Sequence, residues 1–110
     1  MSLKTRKEDK SIVVYLEGRM DVHLSAEIEN ELNKIISEDS RSNVILDLSK
    51  VEYMSSSGLR IFVATMRQLK ETGRSLKLCS LNYAVKKVFE VVELMDMFDI
   101  YEDEKAAVQS

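Results

Sequence analysis

The sequence predicts an α/β fold: a mixed, mostly parallel sheet of four to five strands, with helices packed mainly on one face. Three observations predict it. Short β-branched or apolar runs alternate with stretches of helical periodicity, the pattern of strands joined by helical crossovers. The run at 44–48 places Val44, Leu46 and Leu48 on one side, with Ile45, Asp47 and Ser49 on the other. A sheet covered on both faces would be apolar throughout. The chain has no proline and three glycines in 110 residues, so the elements are tightly connected.

The elements follow in order. "SIVVYLEG" is β-branched, apolar and stopped by Gly18, which gives a strand at about 11–17. A weaker strand at 3–8 precedes it, with a hairpin turn through "EDK". In "LSAEIENELNKIISED", Leu24, Ile28, Leu32, Ile35 and Ile36 share one helical face. Ser25 is the expected N-cap, and Glu27 and Glu29 suit the positive end of the dipole. "NVILDLS" (43–49) has strand length. A second helix follows the serines at 55–57, with Leu59, Phe62, Val63, Met66 and Leu69 inward and Gly73 as terminator. "SLKLCSL" (75–81) alternates as a strand. Asn82 caps a third helix that buries Val85, Val88, Phe89 and Val92. Met95, Met97 and Phe98 read as a loop closing the core. "MFDIY" (97–101) is a last short strand, and "EDEKAAVQ" a short, frayed helix.

The length is that of one domain, 1–110, without a linker. A formal net charge of −3 gives no field that would draw the protein to nucleic acid or anionic lipid. The amino-terminal "MSLKTRKEDK" lacks the apolar core of a signal peptide, and no apolar run approaches membrane-spanning length. A cytoplasmic location is expected. The one cysteine, Cys79, sits among leucines and reads as a small buried hydrophobe.

Most enzyme chemistry is missing. The single histidine, His23, has no cysteine or second histidine to join it in a zinc site, and reads as a surface or capping residue. No glycine-rich loop cradles a phosphate. The basic residues lack interleaved aromatics, and Lys86 and Lys87 fall on an outer helical face. The expectation is no catalytic residue, no metal and no cofactor.

The serines Ser55, Ser56 and Ser57 lie where a strand ends and a helix begins. One hydroxyl suffices to cap the helix, worth roughly 1 kcal/mol. The others sit at the positive end of the dipole, on the ligand-facing edge of an open α/β sheet. A phosphate there gains about 0.3–1 kcal/mol from the dipole, so the fold would tolerate it. A partner docked over that edge would meet about −1.5 to −2 new charges. A nucleophile elbow would need a glycine two residues before the serine, which "SSSGL" lacks. A phospho-receiver would need an acidic cluster where Asp21 stands alone.

Three stretches carry a family resemblance. "GRMD" (18–21), "VILDLSKVEYMSSSGLRIFV" (44–63) and "AVKKVFEVVELMDMFDIYEDEKAAV" (84–108) resemble the bacterial anti-sigma factor antagonists, single STAS domains of sporulation and general stress regulation. The middle stretch matches the family's strand and switch loop. The resemblance implies a non-enzymatic protein that binds an anti-sigma factor serine kinase, with ATP and magnesium held by that partner, and so releases a sigma factor. It implies inactivation by phosphorylation and reversal by a protein phosphatase. Carried onto this chain, the phosphoacceptor is Ser56, with Ser57 the alternative. Asp21, Ser55, Ser56, Ser57, Gly58 and Leu59 are the implied partner-binding residues. The family's aspartate before the acceptor is Ser55 here. That departure leaves a second reading, a constitutive STAS adaptor or scaffold component without phospho-control.

Overall fold

The computed structural model describes residues 2–110. Strands β1 (Lys4–Glu8) and β2 (Ser11–Met20) form an antiparallel hairpin that turns through Asp9 at φ 53°. Helix α1 (Val22–Glu38) returns the chain to β3 (Asn43–Met54), parallel to β2. Helix α2 (Ser56–Lys70) leads to β4 (Leu76–Cys79), and α3 (Tyr83–Val91) with a 3-10 turn at Met95–Met97 leads to β5 (Asp99–Tyr101). A last helix, α4, spans Glu104–Gln109. The strands lie in sequence order, β1-β2-β3-β4-β5, with every pair after the hairpin parallel. The mixed sheet and the single-domain α/β fold are therefore as the sequence predicts.

The helical faces meet the sheet as their spacing requires. Ile28, Leu32 and Ile36 of α1 and Leu59, Phe62 and Leu69 of α2 are buried against Val14, Leu16, Leu46 and Leu78. Phe89 of α3 bridges Phe62, with ring centroids 6.4 Å apart, and Phe98, at 5.7 Å edge-on. Each such side chain removed from water contributes about 1.5–3 kcal/mol. α4 lies on the opposite face, where Ala107 covers Val13, Ile45 and Cys79. Ile45, assigned to the polar side of its strand, is thus buried beneath a helix. Burial pushes the Cys79 thiol up to about 11, which keeps it an unreactive hydrophobe. α4 is held at both ends. Asp103 caps it, the Tyr15 hydroxyl donates to Glu104 at 2.6 Å, and the Lys77 ammonium donates to the Ala107 carbonyl at 3.2 Å. It is anchored rather than frayed.

Several boundaries differ from the sequence reading. Gly18 does not end β2. It takes φ +104° within an irregular stretch of β2–β3 pairing, and the strand continues to Met20; glycine is the residue that adopts this conformation without strain. β3 does not end at Ser49 but runs to Met54. It pairs with β4 only over Val44–Asp47, so among the described residues its last stretch is joined to β2 alone. Ser25 is not the cap of α1. That cap is Asp21, whose carboxylate accepts from the Leu24 amide at 2.9 Å. The helix therefore starts a turn early, and Ser25 is buried inside it with no partner for its hydroxyl among the described residues. Asn82 does cap α3. Val92 is 45% exposed rather than buried, because α3 ends at Val91. Phe98 closes the core as expected, whereas Met97 points outward. His23 is exposed in the first turn of α1, 3.6 Å from Glu27.

Candidate functional site: the rim above β2 and β3

β2 and β3 end side by side, with Met20 and Met54 in register. A helix starts immediately after each. Two helix N-termini therefore share one rim of the sheet, one capped by Asp21 and the other by Ser55. The caps are joined through Met20. Its carbonyl accepts from the Ser55 amide at 3.1 Å and also from the Ser55 hydroxyl. That hydroxyl in turn accepts from the Gly58 amide at 3.3 Å. Ser55 is thus fully occupied in structure, donating across the rim and accepting from its own helix. An aspartate here could accept from Gly58, but when ionised it could not donate to Met20.

Ser56 and Ser57 are the first two residues of α2. Among the described residues, neither hydroxyl takes part in a side-chain hydrogen bond, since the capping role is already filled by Ser55. Ser56 is exposed and Ser57 half-buried. Asp21 is exposed on the same rim. The structure thus brings Asp21, Ser55, Ser56 and Ser57 together at the surface. It does not do so for Gly58 and Leu59, the other residues of the sequence-derived set. Gly58 is buried, and a β-carbon there would lie 2.5 Å from the Met54 sulfur and 3.3 Å from the Met20 β-carbon. Leu59 is 5% exposed and belongs to the core. These two fix how closely α2 sits on the strand ends, and so fix the height of the serines above them.

Two further features of the rim escaped the sequence reading. The Arg19 guanidinium lies 4.5 Å from the Tyr53 ring centroid, a cation–π contact between facing positions of β2 and β3. No sequence signal gives this pairing, because it depends on the irregular register. Asn82 donates to the Val51 carbonyl at 2.8 Å and ties the start of α3 to the end of β3. Among the described residues, no group of three histidine, cysteine, aspartate or glutamate side chains could hold a metal ion. No helix there is long and apolar enough to cross a membrane.

The chain matches known proteins over nearly its whole length. The family model described as the STAS domain matches residues 2–107. A Bordetella bronchiseptica protein, BtrV, named provisionally as an anti-sigma factor antagonist, is 31% identical over 107 residues, covering 97% of this chain and 91% of its own. The Staphylococcus aureus anti-sigma-B factor antagonist is 28% identical, covering 93% and 94%. The fold is shared with the anti-sigma factor antagonist SpoIIAA. Its unphosphorylated form superposes with a TM-score of 0.79 at 21% identity, covering 97% of this chain and 94% of its own. Its phosphorylated form, from Bacillus, gives 0.71 at 20% identity, covering 97% of each. With the mixed sheet, the paired helix starts and these matches in agreement, the chain belongs to the STAS domain family, among the anti-sigma factor antagonists.

Proposed function

We propose that this protein is a non-catalytic switch. It docks the rim bearing Ser56 onto an anti-sigma factor serine kinase, so freeing a sigma factor, and is turned off when that kinase phosphorylates Ser56. The observation that carries this reading is the division of labour among the serines. Ser55 caps the helix, and the Ser56 hydroxyl is left exposed and unengaged one residue on. The kinase supplies ATP, magnesium and the phosphoryl-transfer chemistry, while this chain supplies a positioned hydroxyl. A phosphate at the first residue of α2 suits the free amides and the dipole, so the domain stays folded. Against a docked partner the same phosphate carries negative charge into a buried surface that offers it no cation. A penalty of ~3 kcal/mol weakens the complex roughly a hundredfold. A phosphatase restores the binding form.

Ser55 favours a second reading, in which the chain is a constitutive STAS adaptor. The neutral hydroxyl caps and ties the loop without the negative charge that the family motif places beside the acceptor.

The two readings separate in one experiment. The protein is incubated with the anti-sigma kinase encoded by its own genome, with ATP and magnesium, and analysed by intact mass and peptide mapping. The switch predicts one added phosphate at residue 56, none in Ser56→Ala, and retained kinase binding by Ser56→Ala. Ser56→Asp should bind at least tenfold more weakly. An unmodified protein that still binds tightly supports the adaptor. Equal binding by Ser56→Asp and the natural sequence overturns the electrostatic mechanism.

A further inference from the structure

Helix α2 carries Arg60, Arg67 and Lys70 and no acidic residue in its fifteen positions. Arg67 and Lys70 stand in its last turn, where cations complement the dipole. Arg60 stands near the opposite end, where helix electrostatics gives a cation no advantage. It is exposed, and among the described residues its side chain makes no ion pair and no hydrogen bond. Arg19, the other arginine near the rim, is engaged with Tyr53. Arg60 follows Ser56 at the i+4 position, so the two exposed side chains are neighbours on one face of the helix.

We infer that Arg60 is the intramolecular counter-ion of a phosphate on Ser56. This rests on the reading of Ser56 as the acceptor and adds to it a regulatory residue. In the unmodified protein the guanidinium is free to meet a partner's carboxylate. Once Ser56 carries a phosphate, that dianion is the only acid on the helix, and it stands one turn from Arg60. A guanidinium matches phosphate oxygens with two parallel hydrogen bonds. Modification therefore has two effects on docking: it adds negative charge and withdraws a cation that the partner would otherwise contact. The same pairing holds the phosphate against the helix surface.

The test installs phosphoserine at position 56 during translation, so it does not depend on any kinase acting there. The second pKa of the phosphate is followed by phosphorus NMR in the otherwise natural protein and in Arg60→Gln, Arg60→Lys and Arg67→Gln. The pairing predicts a rise of several tenths of a unit in Arg60→Gln, an intermediate value in Arg60→Lys and no change in Arg67→Gln, as expected for a side-chain pair one turn apart. The rise should shrink in about 1 M salt. Melting of the unmodified Arg60→Gln protein reports whether the fold is intact. Superimposable titrations in Arg60→Gln and the natural sequence overturn the inference, as does an equal rise in Arg67→Gln. A kinase that never modifies Ser56 would defeat the switch but leave this measurement unaltered.

Discussion

Ser55 and Met20 are joined twice, because the Met20 carbonyl accepts from both the amide and the hydroxyl of Ser55. One oxygen at the end of β2 thus fixes the start of α2. The serine does this while its oxygen also accepts from Gly58. Ser55→Ala removes the cap and one of the two ties. It should destabilise the protein by about 1–2 kcal/mol in urea unfolding. Hydrogen exchange should locate the loss in the first turn of α2. Exchange there identical to the natural sequence would show that the tie contributes nothing.

Gly58 is constrained by contact rather than by backbone angle. A β-carbon at this position would meet the buried Met54 sulfur at 2.5 Å. Gly58→Ala must push α2 away from the strand ends or move Met54 out of place. A loss of about 1–3 kcal/mol is expected. Removing the obstacle should return part of that loss. The thermal midpoint of the Gly58→Ala, Met54→Ala double variant should therefore lie above the sum of the two single effects.

Ser25 predicts a gain. Its hydroxyl is buried within α1 without a partner among the described residues. Ser25→Ala removes a desolvated polar atom and improves helix propensity. Stability should rise by about 0.5–1.5 kcal/mol, read from the denaturation midpoint at unchanged slope. A fall would mean that the hydroxyl is satisfied in solution.

Acid sensitivity should centre on Asp39. Hydrogen bonds from Lys7, then from the Ser42 side chain and amide, hold its carboxyl well below the ordinary value of 3.8. The folded state therefore binds this proton less readily than the unfolded chain. The stabilisation is complete above the unfolded value and is lost as pH falls below it toward the folded one. Burial raises the Glu104 carboxyl, but the Tyr15 and Arg6 hydrogen bonds outweigh it, and the net displacement is downward. Its contribution is lost in the same direction. Unfolding free energy should decline between about pH 4 and pH 2, and Asp39→Asn should flatten that decline. An unchanged pH profile in Asp39→Asn would refute the assignment.

The sequence made the element order legible because each helix keeps its apolar spacing and each core strand its short apolar run. Ile28, Leu32 and Ile36, or Val44, Leu46 and Leu48, lead to burial without knowledge of their neighbours. The strand extensions were not legible. Lys50 and Glu52 look like a loop, yet they are outward positions of a strand whose inward residues are Val51 and Met54. Nor was the start of α1. Exposed Val22 and His23 hide a helix that Asp21 caps, and the more familiar serine lay one turn on. At the site, three identical hydroxyls left the register open. The bond from Ser55 to Met20, which only the folded strand pair can provide, distinguishes the cap from Ser56. The role of Ile45 depended on α4, whose six residues are too few to form a stable helix without the anchors at Glu104 and Lys77.

Past Asp47, β3 runs on with β2 as its only partner strand among the described residues. The serine-bearing turn thus stands on a two-stranded promontory, lifted clear of the part of the sheet where β4 and β5 lie. Lineages that keep the Asn82 tie to Val51 could lengthen, shorten or recharge β5 and α4 without altering the geometry of that headland. The same serine-bearing platform could then serve partners of quite different outline.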